Sequence, residues 1–264
     1  PIPRTLAASL FSDMKVSTLE TMPAGRKQPL TQLILENSFR SVLDEVNALL
    51  EEGHQLYVIC AAVDENEAFK ARDVNKMYVN LSKLFYPRKV GMLHGQMSSD
   101  EKQSVMDAFA KNEIQILVST TVVEVGMNVV NATGMIIYDA DRFGLSQLHQ
   151  LRGRIQRGNA VGKCWLLTDN KSEDVKERLN VLVKTTNGFE ISYEDLRLRG
   201  PGDILGTRQS GVPDLILGNL YEDTKMIGVG RKDAKLIVEH CDQTDYISII
   251  ESVKQRRAQS AYID

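Results

Sequence analysis

Between about Asn37 and Asp169, stretches of helical periodicity alternate with fully apolar runs. Ser41 to Glu52 repeats its apolar residues at helical spacing and stops at Gly53, whereas Leu56 to Val63 is an unbroken apolar run of buried-strand length. A second helix is expected over roughly Ala71 to Phe85, ending before Pro87, and Val90 to Leu93 is a short strand leading into His94-Gly95. Ser98-Ser99-Asp100-Glu101 has the form of a capping box that opens a helix reaching Ala110. Ile114 to Val118, Met135 to Tyr138 and Cys164 to Leu167 are further apolar strands, with an arginine-bearing helix before the last.

Helices alternating with fully apolar strands predict an α/β fold, a parallel sheet covered on both faces. Ligands of such sheets sit beyond the carboxyl ends of the strands. His94-Gly95 and the loop from Ser119 to Gly126 both fall at such ends. Upstream, Val16 to Thr21 and Leu30 to Leu35 look like strands joined by the turn-rich Pro23 to Pro29, a connection into this domain. Downstream of Lys171 strand signals fade. Helices are expected at about Glu173 to Thr185 and Tyr193 to Arg199, then a long loop after Gly200-Pro201-Gly202-Asp203 and two more helices. The expected divisions are therefore 1–25, a tail and linker; 26–170, the α/β domain; and 171–264, a helical extension.

Composition narrows this little. Of 264 residues, 42% are hydrophobic and 25% charged, as in ordinary globular chains. The net charge of -3 neither favours nor excludes nucleic acid, because binding depends on local stripes. One stripe exists: Arg142 to Thr168 holds four arginines, one lysine and no acid. Cys60, Cys164 and Cys241 form no CxxC pair, the four histidines lack metal-ligand spacing, and no apolar run approaches a membrane span. A reducing, cytoplasmic setting is expected, with no membrane partner. The first residue is Pro1, not Met, and Pro1-Ile2-Pro3-Arg4-Thr5 reads as the interior of a longer chain.

Three segments carry candidate chemistry. At 100° per residue, Gln147, Gln150, Arg154 and Arg157 share one side of a helix, and Leu148, Leu151 and Ile155 another. Paired guanidiniums on a docked helix suit phosphoryl transfer, in which charge spreading over phosphate needs a pre-placed cation; a solvated basic face is the plainer alternative. Ser119-Thr120-Thr121 ends a strand in hydroxyls that can hold phosphate oxygens, or is simply a strand exit. Gly95 permits close backbone approach just before a helix N-terminus, which attracts phosphate. Asp64-Glu65 after a strand could hold Mg²⁺, but no GxxxxGK[ST] phosphate loop accompanies it, so it reads as a solvated loop.

Together these pieces resemble the RecA-like second motor domain of superfamily 2 helicases, and within them the RecG family. Pro1 to Thr5 resembles the tail of motif III, His94-Gly95 motif IVa, Ser119 to Asn131 motif V, and Gln147 to Gly158 motif VI. Arg197 to Gly211, with Arg-Gly-Pro-Gly-Asp and Gly-Thr-Arg-Gln-Ser-Gly, resembles the translocation motif that RecG shares with the transcription-repair coupling factor. The resemblance implies an ATP-dependent motor acting on branched or duplex DNA in recombination and repair. ATP, with Mg²⁺ held mainly by a missing first motor domain, would meet Gly126, Asn128 and Gln150, with Arg154 and Arg157 as arginine fingers. DNA would meet Arg4, His94, Gly95, Thr120 and Thr121, and Arg199, Asp203, Arg208 and Gln209 would couple hydrolysis to movement. The implied partners are DNA and the first motor and wedge domains of the same parent chain, in a bacterial cytoplasm.

Three positions depart from the pattern. Gln156 stands where motif VI carries glycine, Asn128 where motif V usually has aspartate, and Gln96 where a basic residue is common. Asn128 keeps an acceptor oxygen for a ribose hydroxyl but loses the charge. Two alternatives therefore stand beside the RecG reading: a coupling-factor-type duplex translocase, and a DNA-binding regulatory module with a degenerate motor.

Overall fold

The computed structural model of this chain describes residues 27–35, 40–61, 67–120, 129–155, 160–199 and 224–260. Among these residues six strands form one sheet: β1 (Leu30–Leu35), β2 (Gln55–Cys60), β3 (Val90–Leu93), β4 (Ile116–Ser119), β5 (Ala132–Tyr138) and β6 (Lys163–Thr168). Their order is β1-β6-β5-β2-β4-β3, and every pairing is parallel. The helices are α1 (Arg40–Glu51), α2 (Glu67–Leu84), α3 (Ser99–Ala110), α4 (Leu145–Arg152), α5 (Glu173–Lys184), α6 (Gly188–Arg199), α7 (Thr224–Glu239) and α8 (Thr244–Ser260).

Successive strand residues face opposite ways, so the sheet feeds two cores. Tyr57, Ile59, Leu117 and Met135 join Phe109 of α3, Leu148 of α4, Leu179 of α5 and Ile191 of α6. Leu56, Val58, Ile136 and Trp165 join Val46 and Leu49 of α1 and Leu81 of α2. All residues of β2 and β4 are buried, which is why those strands read as continuous apolar runs. At Gly134 of β5, a Cβ would lie 2.9 Å from Leu56 and 3.1 Å from Leu49. Glycine there lets α1 press against the sheet. The predicted stop of α1 is a Schellman turn: Gly53 takes φ 85°, and the His54 N–H donates to the Leu49 carbonyl at 3.1 Å.

Four expectations need correction. Leu30–Leu35 is a strand, as expected, but in place of a connection into the domain it is an edge strand of the sheet itself, in register with Lys163–Thr168 of β6. Its partner lies over 120 residues away, so local pattern could not reveal the pairing. The helix placed at Tyr193 begins at Gly188, because Asn187 Oδ1 accepts from the Phe189 N–H (2.9 Å) and caps it. α2 begins at Glu67, four residues before the expected Ala71. The arginine-bearing helix does not run on to Arg157: α4 ends at Arg152, and Gly153–Ile155 is a 3₁₀ turn. Ile155 still reaches the core at 1% exposure. A Cβ on Gly162 would meet its carbonyl oxygen at 2.8 Å, so the chain can pass under this turn only as glycine. The expected strand Val16 to Thr21 lies outside the described residues.

Candidate functional site

The adjacent strands β3 and β4 end level, Leu93 beside Ser119. His94 and Thr120 therefore leave the sheet together, and the Thr120 N–H donates to the Leu93 carbonyl at 3.4 Å. Gly95 is exposed, and its carbonyl accepts from Lys102 Nζ at 2.9 Å. The predicted capping box is present: the Glu101 N–H donates to Ser98 Oγ (3.2 Å), and Glu101 Oε2 accepts from the Ser98 N–H (2.8 Å). That backbone bond, then the Ser98 hydroxyl, holds the Glu101 carboxyl below its ordinary range. His94 Nδ1 is buried with no hydrogen-bond partner among the described residues. A helix N-terminus, a lysine and an unpaired imidazole nitrogen thus share one rim, a setting suited to phosphate. Thr120 itself is only 4% exposed, and its N–H and carbonyl are engaged by the Leu93 carbonyl and the Ser119 hydroxyl.

On α4 the predicted faces hold. Leu145, Leu148 and Leu151 are buried, while Gln147 and Gln150 are exposed. Gln147 Oε1 accepts from the Gly144 N–H at 3.1 Å and so caps the helix start. Gln150 lies on the last turn, and Arg154 is half-buried in the 3₁₀ turn beyond it.

The residue that organises this region is one the sequence reading passed over. Arg152 is 2% exposed. Its Nη1 donates to the Leu182 carbonyl (2.5 Å) and Thr31 Oγ1 (3.1 Å). Its Nη2 donates to the Thr185 carbonyl (3.1 Å) and His149 Nδ1 (3.2 Å). The end of α5 offers carbonyls without intrahelical partners at the negative pole of its dipole. Arg152 satisfies two of them and joins α4 to α5 and to β1. Burial, then the neighbouring guanidinium, pushes His149 down to about 4, which keeps it a neutral acceptor. Burial pushes the Cys164 thiol up to about 12, leaving it inert. A signal was available: at 100° per residue Arg152 falls within the apolar stripe of Leu145, Leu148 and Leu151.

Two further contacts fix α4. Ser146 Oγ, at its first turn, donates to Asp195 Oδ2 of α6 (3.3 Å), and Asp195 is 2% exposed. Arg178 of α5 donates to the carbonyls of Phe143 (2.7 Å) and Asp141 (2.5 Å), holding the loop that enters α4. Both ends of α4 are thus clasped by the α5–α6 hairpin.

Of the expected site residues, the structure brings His94, Gly95 and Thr120 together and places Gln150 and Arg154 on successive turns. Arg199 ends α6. Arg4, Thr121, Gly126, Asn128, Arg157, Asp203, Arg208 and Gln209 lie outside the described residues, as do Asp64 and Glu65. Among the described residues no group of three or more His, Cys, Asp or Glu could hold a metal, and no helix is long and apolar enough to cross a membrane.

Comparison with known proteins adds five findings. The helicase conserved C-terminal domain matches residues 38–159, and the C-terminal part of domain 3 of the ATP-dependent DNA helicase RecG matches residues 185–259. RecG of Staphylococcus aureus is 46% identical over 240 residues, 90% of this chain and 35% of that protein. RecG of Staphylococcus epidermidis is 45% identical over 258 residues, 97% of this chain and 38% of that protein. A structure of RecG bound to a three-way DNA junction matches with a TM-score of 0.66 and 37% identity, covering 86% of this chain and 29% of that one. The chain spans about a third of the length of the curated relatives it matches.

Proposed function

Since this chain belongs to the RecG family of ATP-dependent DNA helicases, over its RecA-like second motor domain and the segment beyond, we propose that its parent protein is an ATP-driven motor that remodels branched DNA. Stalled forks and Holliday junctions are the substrate class, in a bacterial cytoplasm. ATP binds between this domain and a first motor domain that carries the phosphate loop and most of the Mg²⁺ ligands; its hydrolysis supplies the free energy. On this side Gly126, Asn128 and Gln150 meet the nucleotide, while Arg154 and Arg157 meet the charge that develops on the transferred phosphate. Arg4, His94, Gly95, Thr120 and Thr121 contribute to the DNA track.

What carries the mechanism is the clasp on α4. The turn bearing Arg154 directly follows Arg152, which is anchored in the end of α5. Ser146 is anchored on Asp195 of α6. A shift at the nucleotide is therefore passed to this hairpin, and then to residues 199–211, where Arg199, Asp203, Arg208 and Gln209 couple it to DNA. The parent protein is expected to hydrolyse ATP faster with a three-way junction than without DNA, and to unwind that junction. Hydrolysis indifferent to DNA would sink the proposal and favour a regulatory module.

Two narrower outcomes are expected. The purified chain alone hydrolyses no ATP and binds it very weakly, because it has no GxxxxGK[ST] to cradle the β- and γ-phosphates. Robust turnover by this chain, abolished by Arg157→Ala, would refute the split site. In the parent, Arg208→Ala and Gln209→Ala spare DNA-stimulated hydrolysis while reducing fork unwinding; equal loss of both activities would remove these residues from a coupling role.

A further inference from the structure

A second acid-free stretch runs from Val74 to Ser99, with three lysines, one arginine and no Asp or Glu. It covers the second half of α2, the turn after it, and β3. Here Tyr78, Val79, Ser82 and Lys83 of α2, with Tyr86 beyond its end, line an open groove of about 550 Å³. The Tyr86 ring is 83% exposed and Val79 46%. Lys76, Lys83 and Lys89 are exposed around it, and no ion pair engages them among the described residues. Arg88 is the basic group already committed, to Glu51 (3.8 Å) and Asn47 Oδ1 (3.4 Å).

The position of the groove adds to its composition. Because the sheet is parallel, α2 returns to the amino end of β3, so Tyr86 and Lys89 precede Val90, whereas His94 follows Leu93. β3 is also an edge strand, at the side of the sheet opposite β1. The groove and the His94–Gly95 rim thus lie toward opposite ends of this strand, whose four residues span roughly 13 Å at a strand's rise.

We propose that this groove holds single-stranded DNA leaving the His94–Gly95 rim, with Tyr86 as a stacking platform and Lys76, Lys83 and Lys89 on the phosphates. Two tyrosines and Lys83, with no carboxylate among the described lining residues, suit bases and backbone together: every base has a face to stack, and every phosphate needs a cation. The proposal rests on the reading of the parent as a motor on branched DNA and adds a contact for a separated strand.

The test uses the parent protein and two three-way junctions, one all duplex and one with a single-stranded arm. Tyr86→Ala is expected to weaken binding of the single-stranded-arm junction roughly tenfold, and Tyr86→Phe to restore it. Lys83→Gln should lower the slope of log affinity against log salt on that junction by roughly 0.7, the share of one phosphate contact. Binding of the all-duplex junction, and the ATP hydrolysis it stimulates, should not change. Equal losses on both junctions, or none on either, would overturn the proposal. So would Tyr86-dependent binding of a fluorescent oligoglutamate peptide without any single-strand effect, which would make the groove a peptide site. A lower unfolding midpoint for Tyr86→Ala with unchanged DNA binding would instead identify a surface covered by another domain of the parent, again overturning it. Failure of the wild-type parent to respond to the all-duplex junction would refute the motor itself, which separates the two readings.

Discussion

Replacing Arg154 or Arg157 by alanine in the intact parent protein is expected to lower ATP turnover by roughly 10³-fold or more, the range for an arginine finger. ATP affinity should fall much less, because the contact strengthens as charge spreads in the transition state. Lysine should rescue poorly, since it lacks the planar fork that meets two phosphate oxygens at once. Arg154 is the better placed of the two to interpret. It sits in a 3₁₀ turn that follows the buried Arg152 and ends on the buried Ile155. Its backbone is therefore held from the core. Single-turnover and steady-state hydrolysis, measured beside nucleotide affinity, decide the matter: near-normal turnover in both alanine variants would return these arginines to a solvated face.

Arg152→Met in the parent is expected to destabilise the α4–α5–α6 region by about 3 kcal/mol or more, the loss of hydrogen bonds from a charged donor together with acceptors left buried and unpaired. Hydrogen exchange reports this locally, as reduced protection in α4 and the last turn of α5. Arg152→Lys should restore little, because one ammonium cannot reach carbonyls at Leu182 and Thr185 together with Thr31 and His149. Retained protection in Arg152→Met would mean the clasp is not structural. The same cluster responds to pH. His149 titrates near 6.5 when unfolded and is held down to about 4 in the fold. Between those values the unfolded chain takes up the proton first, so stability present above about 6.5 is lost as pH falls toward 4. His149→Gln should flatten that part of the pH–stability profile, and an unchanged slope would contradict it.

Much of the fold was legible because it is written in short-range pattern. β3 falls at Val90–Leu93 as expected, and the Ser98–Glu101 box and the Gly53 stop need only residues within one turn of each other. What escaped was set by distant partners or by a single side chain. Thr31 and Lys163 belong to strands that meet across the whole domain, and Asn187 hid the start of α6 behind a glycine. The α4 helix was extended too far because periodicity carries through Gly153 while the backbone does not.

The sequence by itself determined the alternation of layers, the apolar faces and the residues available for phosphate chemistry, since period and local hydrogen bonding are properties of neighbouring residues. Only the tertiary structure decided that His94 and Thr120 end side by side, because strand order and register depend on which buried surfaces fit. It alone decided the fate of the arginines as well. Arg152 and Arg154 are two residues apart and chemically identical, yet Arg152 enters the core, where the carbonyls at the end of α5 await a donor, while Arg154 stays at the half-buried turn. A buried guanidinium is tolerable only where acceptors already converge, and that convergence exists only once α4, α5 and β1 are packed together.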